Sequence, residues 1–112
     1  MNVQPLPDDL VQLIAQRFRV LSEPTRIKLL DRLREGEVTV QDLTAAVGST
    51  QQNVSKHLGV LRSAGVVGRR KKGNYVYYSI ADEGIYALCE DVCGSLRAQF
   101  DSLRSIVATV GG

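Results

Sequence analysis

The chain has 112 residues, of which 44% are hydrophobic, 23% charged and 5% aromatic, and its formal net charge is +2. This composition predicts one globular domain with a small core, and two cysteines are too few for a disulfide-stapled secreted scaffold. The sequence contains neither a secretory signal nor a run of roughly 18 apolar residues, so we expect a cytoplasmic protein without a membrane partner.

Two helices are predicted in the first third of the chain. The second covers about Glu23 to Arg34, with Pro24 just inside its start and Gly36 as its stop, and Ile27, Leu29, Leu30 and Leu33 supply its helical period. The first covers about residues 8–21, because apolar residues recur there at helical spacing: Leu10, Leu13, Ile14, Phe18 and Leu21.

A helix-turn-helix is predicted over residues 39–64. Thr39 and Asp42 have the spacing of a capping box and open a short helix that ends at Gly48. Ser49 and Gln52 have the same spacing and open a second helix, which runs to Ala64 and is closed by Gly65. Its predicted inward stripe consists of Val54, Leu58 and Leu61.

The pattern becomes extended over residues 66–80. Val66 to Arg70 and Tyr75 to Ile80 are rich in β-formers and flank Lys71-Lys72-Gly73-Asn74, in which Gly-Asn is a hairpin turn signal. A long helix over about residues 82–107 follows, with an apolar stripe too long for so small a core. The predicted fold is therefore mainly α, with a two-stranded β-hairpin.

The charge is strongly segregated along the chain. Ser49 to Tyr78 contains six basic residues and no acidic one, whereas the other residues together carry a net charge of −4. Segregation of this kind predicts a polyanionic partner.

The helix that begins near Thr50 has the chemistry of a DNA reader. A step of 100° per residue places Gln52, Lys56 and Gly59 opposite the apolar stripe, and Gln, Asn, Ser and Lys side chains bind base edges and phosphates. His57 lies beside the buried stripe, so a packed structural histidine and a phosphate contact both remain open. The candidate DNA-binding residues of this helix and the hairpin are Thr50, Gln51, Gln52, Asn53, Ser55, Lys56, His57, Arg62, Arg69, Arg70, Lys71 and Lys72.

Several motifs in order resemble the ArsR/SmtB family of winged helix-turn-helix repressors. They are Leu21-Ser22-Glu23-Pro24-Thr25-Arg26, the run from Gln52 to Leu61, Ala64-Gly65-Val66-Val67, and Gly73-Asn74 followed by Val76 to Ile80. The resemblance covers about Leu10 to Phe100. It implies an α-α-α-α-β-β-α winged-helix homodimer, joined through the first and last helices, that binds a palindromic operator in double-stranded DNA.

The same resemblance implies an effector that relieves repression, but neither frequent metal site of the family can be built here. Thr39 and Gln41 stand where one site has its two thiolates. The other site, on the last helix, corresponds to Asp82, Gly84, Ser95 and Ala98, so one ligand is left.

Cys89 and Cys93 are the remaining candidates for sensing, four residues apart on the last helix. They are compatible with binding of a soft ion such as Zn(II), Ni(II) or a thiophilic metalloid, with redox sensing, or with simple packing in a dimer seam. A regulator without an effector, controlled by a partner protein, is the alternative function. An enzyme is disfavoured, because one histidine and no phosphate-binding glycine loop offer no catalytic constellation.

Overall fold

The structure, a computed structural model, describes residues 4–111, with side chains up to residue 108. The chain forms two compact units, the first ending at Ala81 and the second beginning at Asp82. No helix within the described residues is both long and apolar enough to span a membrane.

From residue 4 onward, the first unit contains four α-helices and a small sheet. The helices are α1 (Asp8–Leu21), α2 (Pro24–Arg32), α3 (Val40–Val47) and α4 (Gln51–Ser63), and a 3-10 turn, Leu33–Glu35, follows α2. The strands are β1 (Val38–Thr39), β2 (Val67–Lys72) and β3 (Tyr75–Ile80).

The predicted mainly helical fold with a β-hairpin is confirmed, but the sheet has a third strand that the sequence pattern did not reveal. β1 pairs antiparallel with β3, so the strand order is β1-β3-β2. Two residues are too short a segment to show a period, and only the pairing with β3 defines this strand. β2 extends two residues past its predicted end at Arg70, whereas β3 has the predicted bounds. A two-residue turn remains between them, in which Gly73 has a φ of 62°.

Helix ends follow local hydrogen-bonding chemistry. The Thr39 hydroxyl accepts a hydrogen bond from the Asp42 amide at 3.2 Å and caps α3. The cap of α4 is Thr50 rather than the predicted Ser49, because Thr50 Oγ1 accepts from the Asn53 amide at 3.1 Å. The prediction was therefore displaced by one residue.

The core of the first unit lies between α2, α3, α4 and the sheet. The predicted inward stripe of α4 is confirmed, since all three of its side chains are completely buried. The prediction was wrong for Ile27. Its spacing predicted a core position, but 45% of its surface is exposed. The buried apolar side chains are Leu21, Leu29, Leu30, Leu33, Val40, Leu43, Val54, Leu58, Leu61, Val66, Val67 and Tyr78.

The second unit is the single helix α5 (Glu83–Gly111), which begins where predicted. Asp82 Oδ1 accepts a hydrogen bond from the Ile85 amide at 3.1 Å, in the manner of an N-terminal cap. The helix continues a few residues past the predicted end near residue 107.

Candidate nucleic-acid interface

The orientation of α4 is set by its buried stripe and by its two ends. Three residues, from Gly48 to Thr50, connect it to α3, which packs against it in the first unit. At its C-terminus Gly65 adopts a φ of 78°. The Val66 amide then donates to the Leu61 carbonyl and the Gly65 amide to the Arg62 carbonyl, each at 2.9 Å, which is a Schellman motif. This ending leads the chain directly into β2.

The face of α4 opposite the core is exposed and contains no acidic side chain. It presents hydrogen-bonding amides and hydroxyls along its first turns and positive charge in its middle and last turn. Such a face can bond base edges and phosphates, and it is the surface that a recognition helix turns toward the major groove. Its exposed residues are Gln51, Gln52, Ser55, Lys56, Gly59, Arg62 and Ser63.

Three of the candidate residues on and beside α4 have partners inside the protein. Asn53 is half-buried, and its Nδ2 donates to the Ser49 hydroxyl at 2.9 Å. Thr50 uses its hydroxyl as the helix cap. His57 is buried, with 9% of its surface exposed, and its Nδ1 lies 3.2 Å from Arg26 Nη1. Of the two roles that the sequence left open for His57, the structure shows the packed, hydrogen-bonded one.

The hairpin sends its four basic residues to opposite faces. Residues directly opposite each other in an antiparallel pair lie on the same face. Arg69 is opposite Tyr78, whose side chain is buried in the core. Arg69 and Lys71 therefore lie on the core-facing side of the hairpin, but both side chains are exposed. Arg70 and Lys72 lie on the other face, opposite Tyr77 and Tyr75.

Arg70 is held by an acidic partner that sequence reasoning missed. Its Nη2 donates to Glu37 Oε1 at 2.8 Å, its Nε donates to Glu37 Oε2, and its guanidinium carbon lies 5.4 Å from the centre of the Tyr77 ring. The hydrogen bond to Arg70, together with its charge, outweighs burial and lowers the pKa of Glu37, and the same bond raises the pKa of Arg70. The two residues are 33 positions apart, and only the addition of β1 to the sheet edge brings them together.

The cysteines of α5 form a weaker candidate site. Cys89 is half-buried and Cys93 exposed, and neither forms a disulfide. Burial raises the pKa of the Cys89 thiol, with smaller contributions from Cys93 and Glu90. In the part of the chain that the structure describes, no three His, Cys, Asp or Glu side chains are grouped to hold a metal ion. One chain therefore offers two thiols and does not complete a four-ligand site.

Comparison with known proteins agrees with this geometry. A family model described as a helix-turn-helix domain matches residues 21–70, from the end of α1 into β2. The HTH-type transcriptional regulator KmtR of Mycobacterium tuberculosis is 38% identical over 87 residues, which cover 78% of this chain and 67% of that protein. The transcriptional repressor SmtB homolog of Synechocystis is 37% identical over 98 residues, covering 86% of this chain and 74% of that protein.

Solved structures show the same fold. One is the homodimeric winged helix-turn-helix DNA-binding domain of a possible ArsR-family regulator from Mycobacterium bovis, with a TM-score of 0.76 at 27% identity, covering 89% of this chain and 95% of that one. Another is the antimony-specific transcriptional repressor AntR, with a TM-score of 0.76 at 30% identity over 88% and 91% of the two chains. The matching relatives are transcriptional regulators rather than enzymes. The chain belongs to the ArsR/SmtB family of winged helix-turn-helix, DNA-binding transcriptional regulators.

Proposed function

We propose that this protein is a repressor that binds a palindromic operator as a homodimer, with α4 of each copy in the major groove and the hairpin against the backbone. The observation that carries the proposal is the exposed face of α4, which combines base-reading amides with Lys56 and Arg62 and has no acidic side chain. A helix face that contacts only solvent is not expected to lack acidic side chains.

The roles within this surface differ by chemistry. Gln51, Gln52 and Ser55 lie in the first turns, where a recognition helix enters the groove most deeply, so we assign them to base edges. Lys56, Arg62, Arg69 and Lys71 supply phosphate contacts, which provide affinity without sequence information.

Homodimer formation is supported by an apolar stripe on α5. Val92, Leu96, Phe100, Leu103 and Val107 follow one another at helical spacing and are each at least half exposed. A second copy would cover such a stripe, and two copies would supply the symmetry that a palindrome requires.

The effector part of the proposal concerns Cys89 and Cys93. Each chain contributes two thiols, and a second copy would raise the number of sulfur donors to the four that a tetrahedral soft-metal site takes. The resemblance to AntR, whose name states antimony specificity, supports a metalloid or soft metal as the effector to test first.

The test is a titration of the protein's own upstream DNA against a random duplex at physiological salt. We expect preferential binding, a loss of preference in Gln52→Ala, and weaker binding to both duplexes in Lys56→Ala. Arg34→Ala is the matched control, because Arg34 is an exposed cation outside the proposed surface, 3.8 Å from Asp31. Equal binding of wild-type protein to both duplexes would disprove the proposal.

Effector binding is tested with the same operator complex and added Zn(II), Ni(II), arsenite or peroxide. We expect a thiophilic ion to release the wild-type protein and to leave Cys89→Ser/Cys93→Ser bound. If the double variant is released in the same way as wild type, the cysteines are not the sensor. If release instead requires a second protein, the alternative of control by a partner replaces this part of the proposal.

A further inference from the structure

Arg26 connects three helices through one side chain. Its Nε donates to the Val20 carbonyl oxygen in the last turn of α1 at 2.6 Å. Its backbone amide donates to Glu23 Oε2, the cap of α2, at 3.0 Å. Its Nη1 lies 3.2 Å from His57 Nδ1 on α4. A single guanidinium therefore ties the helix that faces the operator to the junction of α1 and α2.

The contact between Arg26 and His57 has a definite hydrogen-bond direction. An arginine side chain is always charged and has no acceptor, so Arg26 is the donor and His57 Nδ1 the acceptor. In this contact Nδ1 acts as the hydrogen-bond acceptor, a role that an imidazole nitrogen without a proton can take. The ring is buried beside the apolar stripe of α4 and does not lie on the exposed face.

A second partner stands close to the same nitrogen. Glu23 Oε2 lies 3.7 Å from His57 Nδ1. Partial burial acts to raise the pKa of Glu23, but hydrogen bonds from the Arg26 and Thr25 amides and positive charge beside the carboxylate outweigh it, so the pKa is lowered. Glu23 consequently stays ionised wherever a histidine titrates.

We propose that His57 and Arg26 are positioning residues for DNA binding: the neutral His57 ring locks α4 to the α1–α2 junction through Arg26, and protonation of His57 opens this lock. A protonated Nδ1 cannot accept from Arg26 and places two positive charges side by side, so the ring turns to Glu23 instead. The inference rests on the proposed function, because it concerns how the same α4 face is held toward the operator.

Few charged side chains other than Arg26 and Glu23 lie near the His57 ring. Glu23 and Arg26 face it from α2, while Lys56 and Arg62 are exposed on its own helix. The other elements packed against α4 carry exposed charges, Asp42 on α3 and the basic residues of β2. His57 is the single histidine of the chain, so substitutions at this position remove its only imidazole.

The test measures operator affinity, its dependence on salt and its dependence on pH for wild type, His57→Leu, His57→Asn and Arg26→Lys. His57→Leu keeps an apolar side chain but removes the acceptor, and His57→Asn keeps an acceptor near the position of Nδ1 without a titratable proton. Lysine at position 26 cannot bond Val20 and His57 together, because it lacks the guanidinium fork. Arg34→Lys is the matched control for Arg26→Lys at an exposed arginine. Thermal unfolding of each variant confirms that it is folded at the assay temperature.

We expect His57→Leu and Arg26→Lys to weaken operator binding about threefold to tenfold at pH 7.5, the equivalent of one hydrogen bond. The salt slope should stay unchanged, because no phosphate contact is lost. Wild-type affinity should fall as the pH is lowered from 7.5, whereas His57→Asn should bind well at pH 7.5 and lack this fall. A phosphate-contacting histidine would give the opposite results, with affinity rising at low pH and a salt slope reduced by about 1 in His57→Leu.

Two results would overturn the inference while leaving the proposed function intact. One is wild-type affinity and a wild-type pH profile in both His57→Leu and Arg26→Lys. The other is a proton on Nδ1 at pH 7.5, read from the ring ¹⁵N signals of wild-type protein without DNA. By contrast, wild-type protein that does not prefer its upstream DNA contradicts the proposed function, and the ring signals still decide the Arg26–His57 contact independently.

Discussion

At the scale of single residues, the four basic side chains of the hairpin are not equivalent. Arg70 is engaged by Glu37 and lies over Tyr77, so part of its charge is compensated before any DNA approaches. Arg69 lies on the opposite face, and the structure records no acidic partner for it among residues 4–111. We therefore predict that Arg69 is the better phosphate ligand, although the two residues are adjacent in sequence.

We predict that Arg69→Ala reduces the salt slope of operator binding by about 1, the value for one phosphate contact, and that Arg70→Ala reduces it by less. Fluorescence anisotropy over a series of salt concentrations measures both slopes. Glu37→Gln serves as the complementary control and should strengthen binding, because it leaves Arg70 uncompensated. Equal slopes for the two alanine variants would show that the pair with Glu37 opens on DNA.

The same pair predicts a pH dependence with a definite sign. Glu37 has a pKa lowered from its ordinary value of 4.5, so the folded state favours the ionised carboxylate. Its contribution to stability is therefore present above pH 4.5 and is lost as the pH falls through the lowered value in the folded state. Titration of the Glu37 carboxyl by NMR should show its pKa rising toward 4.5 in Arg70→Gln. An unchanged pKa in that variant would contradict the role of Arg70.

Cys89 provides a third prediction, about reactivity. Because burial raises its pKa above the ordinary 9.0, the thiol is protonated at neutral pH and the reactive thiolate is scarce. In Cys93→Ser, alkylation of Cys89 by iodoacetamide at pH 7 should be slower than that of a small free thiol and should accelerate at high pH. Mass spectrometry measures the rate. Alkylation at least as fast as the free thiol would contradict this prediction and support redox sensing by the cysteines.

At the scale of elements, two glycines of the α4 region have different tasks. Gly65 has a φ of 78° and permits the turn from α4 into β2, whereas Gly59 lies within the helix on its exposed face. A methyl group added at either position meets no atom within 4 Å. Alanine at position 65 therefore tests the need for a positive φ, and alanine at position 59 tests the need for a helix surface without a side chain.

We predict opposite effects of the two substitutions. Gly65→Ala should lower the free energy of unfolding by about 1 kcal/mol, because alanine disfavours the left-handed conformation. Gly59→Ala should raise it by about 1 kcal/mol, through helix propensity, and yet weaken operator binding where its methyl group meets DNA. Urea unfolding and operator titration measure the two quantities. A stabilised Gly59→Ala with wild-type affinity would place the DNA away from Gly59.

At the scale of the whole molecule, the exposed stripe of α5 predicts the oligomeric state. Leu96→Glu and Phe100→Glu, both on the stripe, should convert the proposed dimer into a monomer and weaken binding to a palindrome more than tenfold, because one protein then contacts one half-site. Ala98→Glu introduces the same charge about 160° away around the helix and should leave the dimer intact. Sedimentation velocity measures the mass. A monomeric wild type, or a dimeric Leu96→Glu/Phe100→Glu double variant, contradicts the proposed interface.

The sequence by itself determined the order of the α-helices and the two hairpin strands, most helix ends to within a few residues, and the candidate surface for DNA. These features depend on neighbours within a few residues: the period of Val54, Leu58 and Leu61, the capping hydroxyl ahead of α3, and the glycine turns of α4 and the hairpin. Local chemistry of this kind follows directly from the order of the residues. The structure departed from the predicted ends by one residue at the α4 cap and by a few residues at the ends of α2 and α5.

Only the tertiary structure decided which of these side chains have another partner. The strand β1, the pairing of Arg70 with Glu37 and the bonding of His57 to Arg26 join residues more than 30 positions apart, and no local period encodes such contacts. A charged or polar side chain in a sequence pattern typical of DNA-binding proteins is available to DNA only if it does not already form a hydrogen bond or ion pair within the folded chain. The physical reason is that hydrogen bonds and ion pairs act over a few ångströms of space, whatever the separation along the chain.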